Sequence, residues 1–491
     1  MNPKRLLHLF LIIIISIANA QIPDNIQRYR NEPKGEIKNR KKGLLDGNRV
    51  RTQFFNTGEV SDWYNGAVSA PHLEWPKGTG HRHLDGYTFL VGSKFKIIDA
   101  NNIERYITPI ETQYREEMDR DPATGLIWGF EPLPGYVNPS SSTPAMSNNK
   151  ESFPSVWPEA LGLSPSWNGK WYSPYEGHTN DGMVETFYVM DDSRDKEFTK
   201  YPYNYFPVAS DSDRGGLGLR VEVRATEFFW QPLQDVIFWD HTVANISDHD
   251  YDTTAFGLFI DPSVGSVMND VDVNYPLSLT YFWAPSGKGL PDNFATGYLG
   301  IGVLASPNGN DSSNIASVRV NPLADKTQAS VWPKNDLPMW LAMTGEFGDT
   351  TIINGNTSTV IGSNIFSFPK WSIAKYVVAM ILGTDLPEII MKKSIAKGAY
   401  DHSFILSDSI ENTGTLKISV TSPIANSTLS GTVNVAWNVA GAAGKTISYI
   451  YCSKDNTEWS LIGIESAGTG TFNWNTTLFP DGIFNTLRVL T

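Results

Sequence analysis

Hydrophobic and polar residues alternate with a period of two along much of the chain, most clearly over residues 217–230. In that segment four apolar residues alternate with four polar ones, namely Leu219, Val221, Val223 and Ala225 against Arg220, Glu222, Arg224 and Thr226. Successive side chains of a strand point to opposite faces of a sheet, so the pattern predicts a strand with one buried face. Apolar runs at 235–246 and 253–260, joined through a turn at 247–250, predict an antiparallel meander with it.

Similar runs at 277–283 and 298–304 are expected to continue this sheet, and the run at 371–382 predicts a further strand. Together they indicate one large antiparallel β-sandwich domain over residues 51–410. One short helix is expected at 386–397, where the strand pattern stops. Asp385 or Thr384 can cap its N-terminus, and Gly398 is a residue at which helices commonly end.

Residues 416–491 predict a second, immunoglobulin-like (Ig-like) β-sandwich that follows a linker at 411–415. Six short apolar runs are separated by turn residues, at 416–422, 431–439, 446–453, 459–464, 471–474 and 484–490. Short strands at this spacing are typical of Ig-type sandwiches, which usually hold at least seven. We therefore expect this module to be truncated, with the native chain continuing past Thr491. The fold class predicted for the whole chain is all-β.

The N-terminus predicts export. Lys4 and Arg5 precede an apolar run over 6–17, and Ala18-Asn19-Ala20 then offers small residues at the positions that a signal peptidase recognises. Residues 1–20 are therefore expected to be a signal peptide, since the apolar run is too short to span a bilayer comfortably. The chain that follows should be secreted, or held at the cell surface, and not membrane-spanning.

Residues 21–50 are polar and basic, and they predict an extended arm. Such a segment is either disordered or laid across the large domain, and a removable pro-segment is a further alternative. The whole chain is nevertheless acidic, with a formal net charge of −13. An acidic surface repels phosphate, so a nucleic-acid partner is not expected. The single cysteine, Cys452, excludes an intrachain disulfide and suits bacterial export.

Two resemblances can be named. The C-terminal module resembles bacterial Ig-like or fibronectin-III-like repeats, through the segments 418–423, 429–433, 451–459 and 480–482. The large domain resembles uncharacterised domains of exported Gram-negative surface proteins, often with a C-terminal sorting domain, through 215–219, 235–239 and 383–386. These resemblances imply an extracellular role and no particular chemistry.

Two groups of residues are candidate metal ligands. His81, His83 and Asp85 lie two apart, so on a strand they would share one face and could bind Zn²⁺ or another transition metal. Asp261, Asp270, Asp272 and Asn274 surround a glycine-containing loop, and such oxygen ligands suit Ca²⁺. Asp211 and Asp213 form a weaker version of the second group. Hydrogen-bonded loops and solvated acidic turns are the alternatives in each case.

An aromatic segment is the candidate ligand-binding site. Five residues crowd a Pro-, Gly- and Ser-rich stretch, namely Trp157, Trp167, Trp171, Tyr172 and Tyr175. Such a loop either packs on the sheet or presents a platform on which sugar rings stack. The leading interpretation of the chain is therefore a non-catalytic binding, adhesive or structural protein, with polysaccharide or another cell-surface component as a partner.

The rival interpretation is a polysaccharide-active enzyme with an accessory Ig-like module. Paired carboxylates carry glycoside hydrolysis, and candidates lie on or near the predicted strands at Glu222, Glu227, Asp240 and Asp261. No nucleophile elbow or phosphate-binding glycine loop is present in the sequence. A purely structural spacer is the third alternative.

Overall fold

In a computed structural model, the described residues are 22–61, 72–113, 119–154, 170–175, 183–229, 233–308, 313–328, 333–346, 354–403, 417–440, 448–453, 460–465, 470–478 and 486–490. The predicted signal peptide and linker lie outside them. Three α-helices are described, α1 (Asp24–Asn31), α2 (Asp336–Met343) and α3 (Leu386–Ser403).

The strands of the large domain are β1 (Lys42–Leu45), β2 (Thr52–Phe55), β3 (Glu59–Val60), β4 (Leu73–Glu74), β5 (Arg82–Ser93), β6 (Phe95–Ile98), β7 (Glu104–Ile107), β8 (Ile110–Glu111), β9 (Glu131–Pro132), β10 (Ala145–Met146), β11 (Met183–Asp191), β12 (Leu219–Phe228), β13 (Val236–Asn245), β14 (Tyr251–Pro262), β15 (Asp270–Asn274), β16 (Leu279–Trp283), β17 (Lys288–Gly289), β18 (Phe294–Ala295), β19 (Tyr298–Ala305), β20 (Ser317–Pro322), β21 (Thr357–Gly362), β22 (Phe366–Phe368) and β23 (Ile373–Gly383). Those of the C-terminal module are β24 (Lys417–Ser422), β25 (Thr432–Ala440), β26 (Ser448–Ser453), β27 (Ser460–Glu465), β28 (Gly470–Asn475) and β29 (Thr486–Leu490).

The large domain is a β-sandwich, as predicted. One sheet runs β1-β2-β3-β5-β14-β21-β20, and the other runs β10-β11-β12-β13-β23-β19-β16-β15, with antiparallel neighbours throughout. Apolar side chains of both sheets interdigitate in a single core, in which Trp239 of one sheet lies near Tyr87 of the other. Burial of this core is the main source of stability, because each large apolar side chain removed from water contributes about 1.5–3 kcal/mol.

The predicted meander is wrong at its third strand. β12 and β13 pair as expected, but β14 crosses to the other sheet and pairs with β5 and β21. The side chain of Asn245 holds this corner, because its Nδ2 donates to the carbonyl oxygens of His249 and Phe368, each at 3.1 Å. Turn residues at 247–250 predict a change of direction, but they do not determine which sheet the next strand joins.

Both faces of β12 are covered, which corrects the prediction of one buried face. Val221 and its apolar neighbours face the core as expected. On the opposite face Arg220 and Thr226 are also buried, at 0% and 1% exposure. The N-terminal arm covers Arg220, whose Nη2 donates to the carbonyl oxygen of Tyr29 at 3.1 Å, and Thr226 donates to buried Glu185.

The described residues include three α-helices, whereas the sequence predicted one. α2 packs Met339 and Trp340 against the outer face of the β5–β14–β21 sheet. α3 begins as expected, since the Glu388 amide donates to the Asp385 side chain at 2.8 Å. It does not end at Gly398 but continues to Ser403. A side chain at Gly398 would meet the hydroxyl of Tyr449 from the C-terminal module, so the glycine serves close helix contact rather than termination.

The C-terminal module is a small sandwich of two three-stranded sheets, β24-β25-β28 and β27-β26-β29. The six strands match the six predicted runs to within two residues at each end. Trp437 and Trp474 of one sheet pack with Ile450 and buried Cys452 of the other. Because one face of each sheet packs on this shared core, apolar residues alternate with polar ones along the strands.

The basic N-terminal segment lies across the large domain, which is one of the two arrangements expected. Helix α1 buries Ile26 and Tyr29, and β1 pairs with β2 at the edge of a sheet. Arg30 forms an ion pair with Asp248 at 2.7 Å, and Arg40 pairs with buried Glu131. The arm is thus an integral part of the domain. Among the described residues, no helix has the length and apolarity needed to cross a bilayer.

Candidate functional site

A cleft of about 380 Å³ lies where the N-terminal arm meets two loops of the large domain. Its walls are residues 34–36 of the arm, the turn at 121–128, the loop at 193–196 that follows β11, and Asp213. The cleft combines aromatic, aliphatic and charged side chains of both signs. Clefts that join apolar surface to a few placed polar groups are the usual form of ligand sites.

The turn at 121–128 presents the aromatic part of the cleft. The Gly125 amide donates to the carbonyl oxygen of Asp121 at 2.8 Å, and Gly125 adopts φ of +70°, which glycine tolerates best. The chain then displays Leu126, which is 43% exposed, and half-buried Trp128 toward the cleft. The Nζ of Lys200 lies 5.3 Å from the Trp128 ring centroid, a cation–π contact that steadies the ring.

Ion pairs hold the charged walls in place. Lys34 of the arm contacts Asp211 at 2.8 Å and Asp213 at 3.0 Å, so it ties the arm to the opposite wall. Lys200 contacts Asp121 at 2.7 Å. Lys196 donates to the backbone oxygen of Asp213 and lies 3.6 Å from its carboxylate. These contacts fix the positions of groups that are far apart in the sequence.

The same contacts set the charge of the cleft. A hydrogen bond from Lys200 lowers the pKa of Asp121, and the Ala123 amide adds to that effect. A hydrogen bond from Lys34 lowers the pKa of Asp213. Both carboxylates are therefore ionised at neutral pH and accept hydrogen bonds. Burial lowers the pKa of Lys196, against the opposing charge of Asp213.

The predicted aromatic platform is placed elsewhere, and its described members are packed rather than exposed. Trp171 is 5% exposed, and its Nε1 donates to Glu185 at 2.7 Å. Tyr175 is also 5% exposed, packs edge-on to Phe228, and belongs to the core beneath α3. Tyr172 is partly buried against the cluster that contains Trp171. Trp157 and Trp167 lie outside the described residues.

The three residues of the predicted transition-metal site face different partners. His81 Nε2 lies 3.1 Å from Asp292, and its ring stacks on Phe294. His83 is fully buried, and its two ring nitrogens face the backbone oxygens of His81 and Thr296 at 3.0 and 2.9 Å. Asp85 contacts Arg82 at 3.1 Å. Burial lowers the pKa of His83 to about 4, so its imidazole is neutral.

The four residues of the predicted Ca²⁺ site are likewise dispersed. Asp261 lies on β14, opposite Gly86, whereas Asp270 and Asp272 lie on β15 of the other sheet. Asp270 accepts from the Asn354 amide, and Asp272 accepts from the Tyr281 hydroxyl at 2.8 Å. Asn274 caps a short turn by accepting from the Leu277 amide at 3.2 Å. Neither proposed ligand set converges on a common point.

A different set of carboxylates does converge. Among the described residues, ligand oxygens of Asp119, Glu197 and Asp336 lie within 4.8 Å of one another. The Trp128 amide donates to the carbonyl oxygen of Asp119 at 3.1 Å, so this cluster neighbours the cleft. None of the seven metal ligands predicted from the sequence belongs to it.

Of the four candidate acid–base residues, two share a face and the other two lie apart. Glu222 and Asp240 lie on β12 and β13, on the face that points away from the core. Glu222 accepts from Tyr29 at 2.7 Å, and burial raises its pKa to about 7. Asp240 forms an ion pair with Lys375 at 3.1 Å. Glu227 lies on the opposite face of β12, and Asp261 lies in the other sheet.

Of the residues that line the cleft, only Asp213 was singled out from the sequence, with Asp211, as a weaker Ca²⁺ candidate; in the structure both carboxylates instead pair with Lys34. The one local signal is at 121–128, where an Asp-Pro pair and a glycine precede Leu126, Ile127 and Trp128. This order predicts a tight turn that exposes the apolar residues after it. The charged residues of the cleft carry no such signal, because their partners lie as many as 179 positions away.

A search against protein-family models gives no match for this chain, and a search of the curated proteins finds no similar sequence. Function therefore has to be inferred from the side chains themselves.

Proposed function

We propose that this chain is an exported, extracellular or cell-surface protein with a non-catalytic binding role, and that the cleft at 34–36, 121–128, 193–196 and 213 binds carbohydrate. The supporting observation is the composition of the cleft, in which a half-buried tryptophan stands beside ionised carboxylates and ammonium groups. Aromatic faces stack on the apolar faces of sugar rings. Charged groups at the rim hydrogen-bond sugar hydroxyls. The signal peptide that the sequence predicts at 1–20 supports an extracellular setting.

Trp128→Ala is expected to weaken oligosaccharide binding by about tenfold or more, because it removes the stacking surface and the aromatic ring that Lys200 contacts. Isothermal titration of the mature chain with a panel of neutral and acidic oligosaccharides measures the change. Tyr106→Ala is the matched control, since Lys96 lies 5.3 Å from that ring in the same kind of cation–π contact, on a hairpin that does not line the cleft.

Equal loss of affinity in the two variants would show that binding does not depend on the cleft. An unchanged affinity in Trp128→Ala, with an unchanged melting temperature, would show the same. If no oligosaccharide in the panel binds the wild-type chain, the proposed function is wrong.

Polysaccharide cleavage is a second candidate function, and the placement of Glu222 and Asp240 favours it. In the β12–β13 register Glu222 is opposite Thr242 and Arg224 is opposite Asp240, so the two carboxylate-bearing residues are diagonal neighbours. The backbones of such diagonal neighbours lie about 7–8 Å apart, so two carboxylates on one face are close enough to act on one substrate. Inverting glycosidases hold their two carboxyl groups about 6.5–9.5 Å apart. The raised pKa of Glu222 suits a general acid.

Reducing-end release from a polysaccharide panel tests this second function. If the chain is an enzyme, Glu222→Gln and Asp240→Asn should each abolish release, whereas Trp128→Ala should not. If it is a binding protein, the wild-type chain releases nothing. The second result is the expected one, because Glu222 lies on the outer face and is engaged by the Tyr29 hydroxyl of the arm, while Asp240 is paired with Lys375.

A further inference from the structure

We infer that the ligand of the cleft carries an anionic group, as a uronate carboxylate or a sulfate ester does, and that Arg194 is the residue that recognises it. This inference rests on the proposed carbohydrate-binding function and adds the chemical class of the ligand. It is carried by the pairing of the charged groups that line the cleft.

Among the residues that the structure describes, Arg194 is the cation of the cleft whose guanidinium makes no hydrogen bond and no ion pair. The charge of Arg194 helps to lower the pKa of Glu131 against the effect of burial, but both carboxylate oxygens of Glu131 accept hydrogen bonds from Arg40. A half-buried arginine without a partner leaves five N–H donors available in a planar fork.

The other charged residues that line the cleft already form ion pairs. Lys34 and Lys196 both contact Asp213, and Lys34 also holds Asp211. Asp121 is paired with Lys200 outside the lining. Glu36 is paired with Lys38 at 2.7 Å. Among the described residues, every carboxylate of the lining therefore faces an ammonium group, and Arg194 is the lining cation left without an ion pair.

A guanidinium fork matches a carboxylate or sulfate through two parallel hydrogen bonds, which are stronger than bonds between neutral groups. Trp128 and Leu126 stand in the same cleft and provide apolar surface for a ring. Asp121 and Asp213 can accept hydrogen bonds from hydroxyl groups. An acidic sugar presents all three kinds of group within one or two residues, whereas a free inorganic anion uses the arginine alone.

The negative charge of the whole chain does not oppose this. The Debye length is about 8 Å at physiological ionic strength, so distant acidic residues are largely screened at the cleft. Close contacts within the cleft decide the preference. A polyanion with a charge on every unit, such as nucleic acid, would still meet the acidic surface outside the cleft.

The test uses the mature full-length chain and pairs of probes that differ only in charge. Oligogalacturonates are compared with their methyl esters, and carrageenan oligosaccharides with desulfated ones. Inorganic sulfate and duplex DNA are the non-sugar anions. Affinities are measured for wild type, Arg194→Gln and Arg194→Lys. Arg82→Gln is the control, since it removes the same charge from a residue outside the cleft that is 37% exposed.

We expect one acidic oligosaccharide to bind about tenfold more tightly than its uncharged counterpart, and Arg194→Gln to remove that preference. Arg194→Lys should keep part of it, because lysine retains the charge but not the fork. The galacturonate and carrageenan arms identify whether carboxylate or sulfate is the group recognised. Arg82→Gln should leave both affinities unchanged, and melting temperatures should agree among the variants.

Tight binding of the uncharged sugars, unaffected by Arg194→Gln, would overturn the inference and leave the carbohydrate-binding function standing. Binding of no sugar at all would overturn both. Stronger binding of duplex DNA or sulfate than of any oligosaccharide would overturn the assignment of an acidic sugar.

Discussion

Replacing Asp191 with alanine is expected to lower the free energy of unfolding of the large domain by about 3–5 kcal/mol. Asp191 is fully buried at the end of β11, and both Arg214 and Arg220 direct a guanidinium nitrogen at its Oδ2. Alanine leaves two buried cations without this counter-charge, which is far more costly than removing a whole pair. Denaturation in urea at pH 7, followed by tryptophan fluorescence, measures the change.

The same residue anchors the N-terminal arm. The Gly35 amide donates to Asp191 Oδ1 at 2.9 Å, and Arg220, held by Asp191, donates to the carbonyl oxygens of Tyr29 and Pro33. Loss of the carboxylate should therefore loosen the arm segment that forms one wall of the cleft. Trypsin should cut the basic arm faster in the variant, and oligosaccharide binding should weaken with it.

Asp213→Ala is the control for Asp191→Ala. Asp213 also pairs with a cation of the arm, Lys34, but its side chain is 85% exposed, and surface pairs contribute about 0–1 kcal/mol. A loss below 1 kcal/mol in Asp191→Ala, or equal losses in both variants, would contradict the assignment of Asp191 as the anchor.

The stability that Asp191 contributes should decrease as the pH falls. Burial alone would raise the pKa of Asp191, but the charges of Arg220 and Arg214 outweigh it and hold the pKa below its ordinary value of 3.8. The stability that Asp191 contributes is therefore present above about pH 3.8 and is lost as the pH falls through the lower pKa of the folded state. The difference between wild type and Asp191→Ala should narrow in that acidic range.

The strands could be predicted from the sequence because alternation records which side chains face an apolar environment. It does not record what covers the polar face. Arg220 and Thr226 alternate as surface residues do, yet both are buried, Arg220 beneath the arm and Thr226 against Glu185. Alternation also does not show which sheet a strand joins. The crossing of β14 to the other sheet depends on contacts of Asn245 with a segment 123 positions away.

The candidate site was harder to predict for the same reason. Trp171 and Trp128 both follow turn-forming residues, but the first is held in the interior by Glu185 and the second lines the cleft. Local composition cannot separate the two cases. Arg194 can bind a ligand only because the carboxylates near it pair with other cations. Those pairs form between residues far apart in the sequence, so no local spacing predicts them.

Glu227→Gln is expected to stabilise the folded chain, and to do so more strongly as the pH rises. Glu227 is 0% exposed on the core-facing side of β12. Its Oε2 accepts one hydrogen bond, from the Gly47 amide at 2.7 Å, while Oε1 has no hydrogen-bond partner among the described residues. Burial, assisted by the charge of Asp46, raises the pKa of Glu227 to about 8.

Proton linkage explains why the advantage of Glu227→Gln over wild type should grow as the pH rises. Because the folded-state pKa of about 8 exceeds the ordinary value of 4.5, the folded protein binds this proton more tightly than the unfolded chain does. The resulting stability is fully present below about pH 4.5 and falls by about 1.4 kcal/mol per pH unit until the pH passes 8. Glutamine cannot ionise, so the variant should gain about 3 kcal/mol over wild type between pH 4.5 and pH 7.

Glu185→Gln is the matched control and is expected to have the opposite effect. Glu185 lies on the neighbouring strand and is equally buried, but its carboxylate accepts from four side chains, those of Trp171, Ser173, Arg224 and Thr226. Removing that charge from its donors should cost about 2–4 kcal/mol at pH 7.

Urea melts of wild type and both variants at pH 5, 6, 7 and 8 test the pair. A pH-independent difference between Glu227→Gln and wild type would show that Glu227 is not a strained buried acid. Opposite signs for the two variants at pH 7 would establish that hydrogen-bond supply, not burial alone, decides whether a carboxylate in this sandwich stabilises the fold.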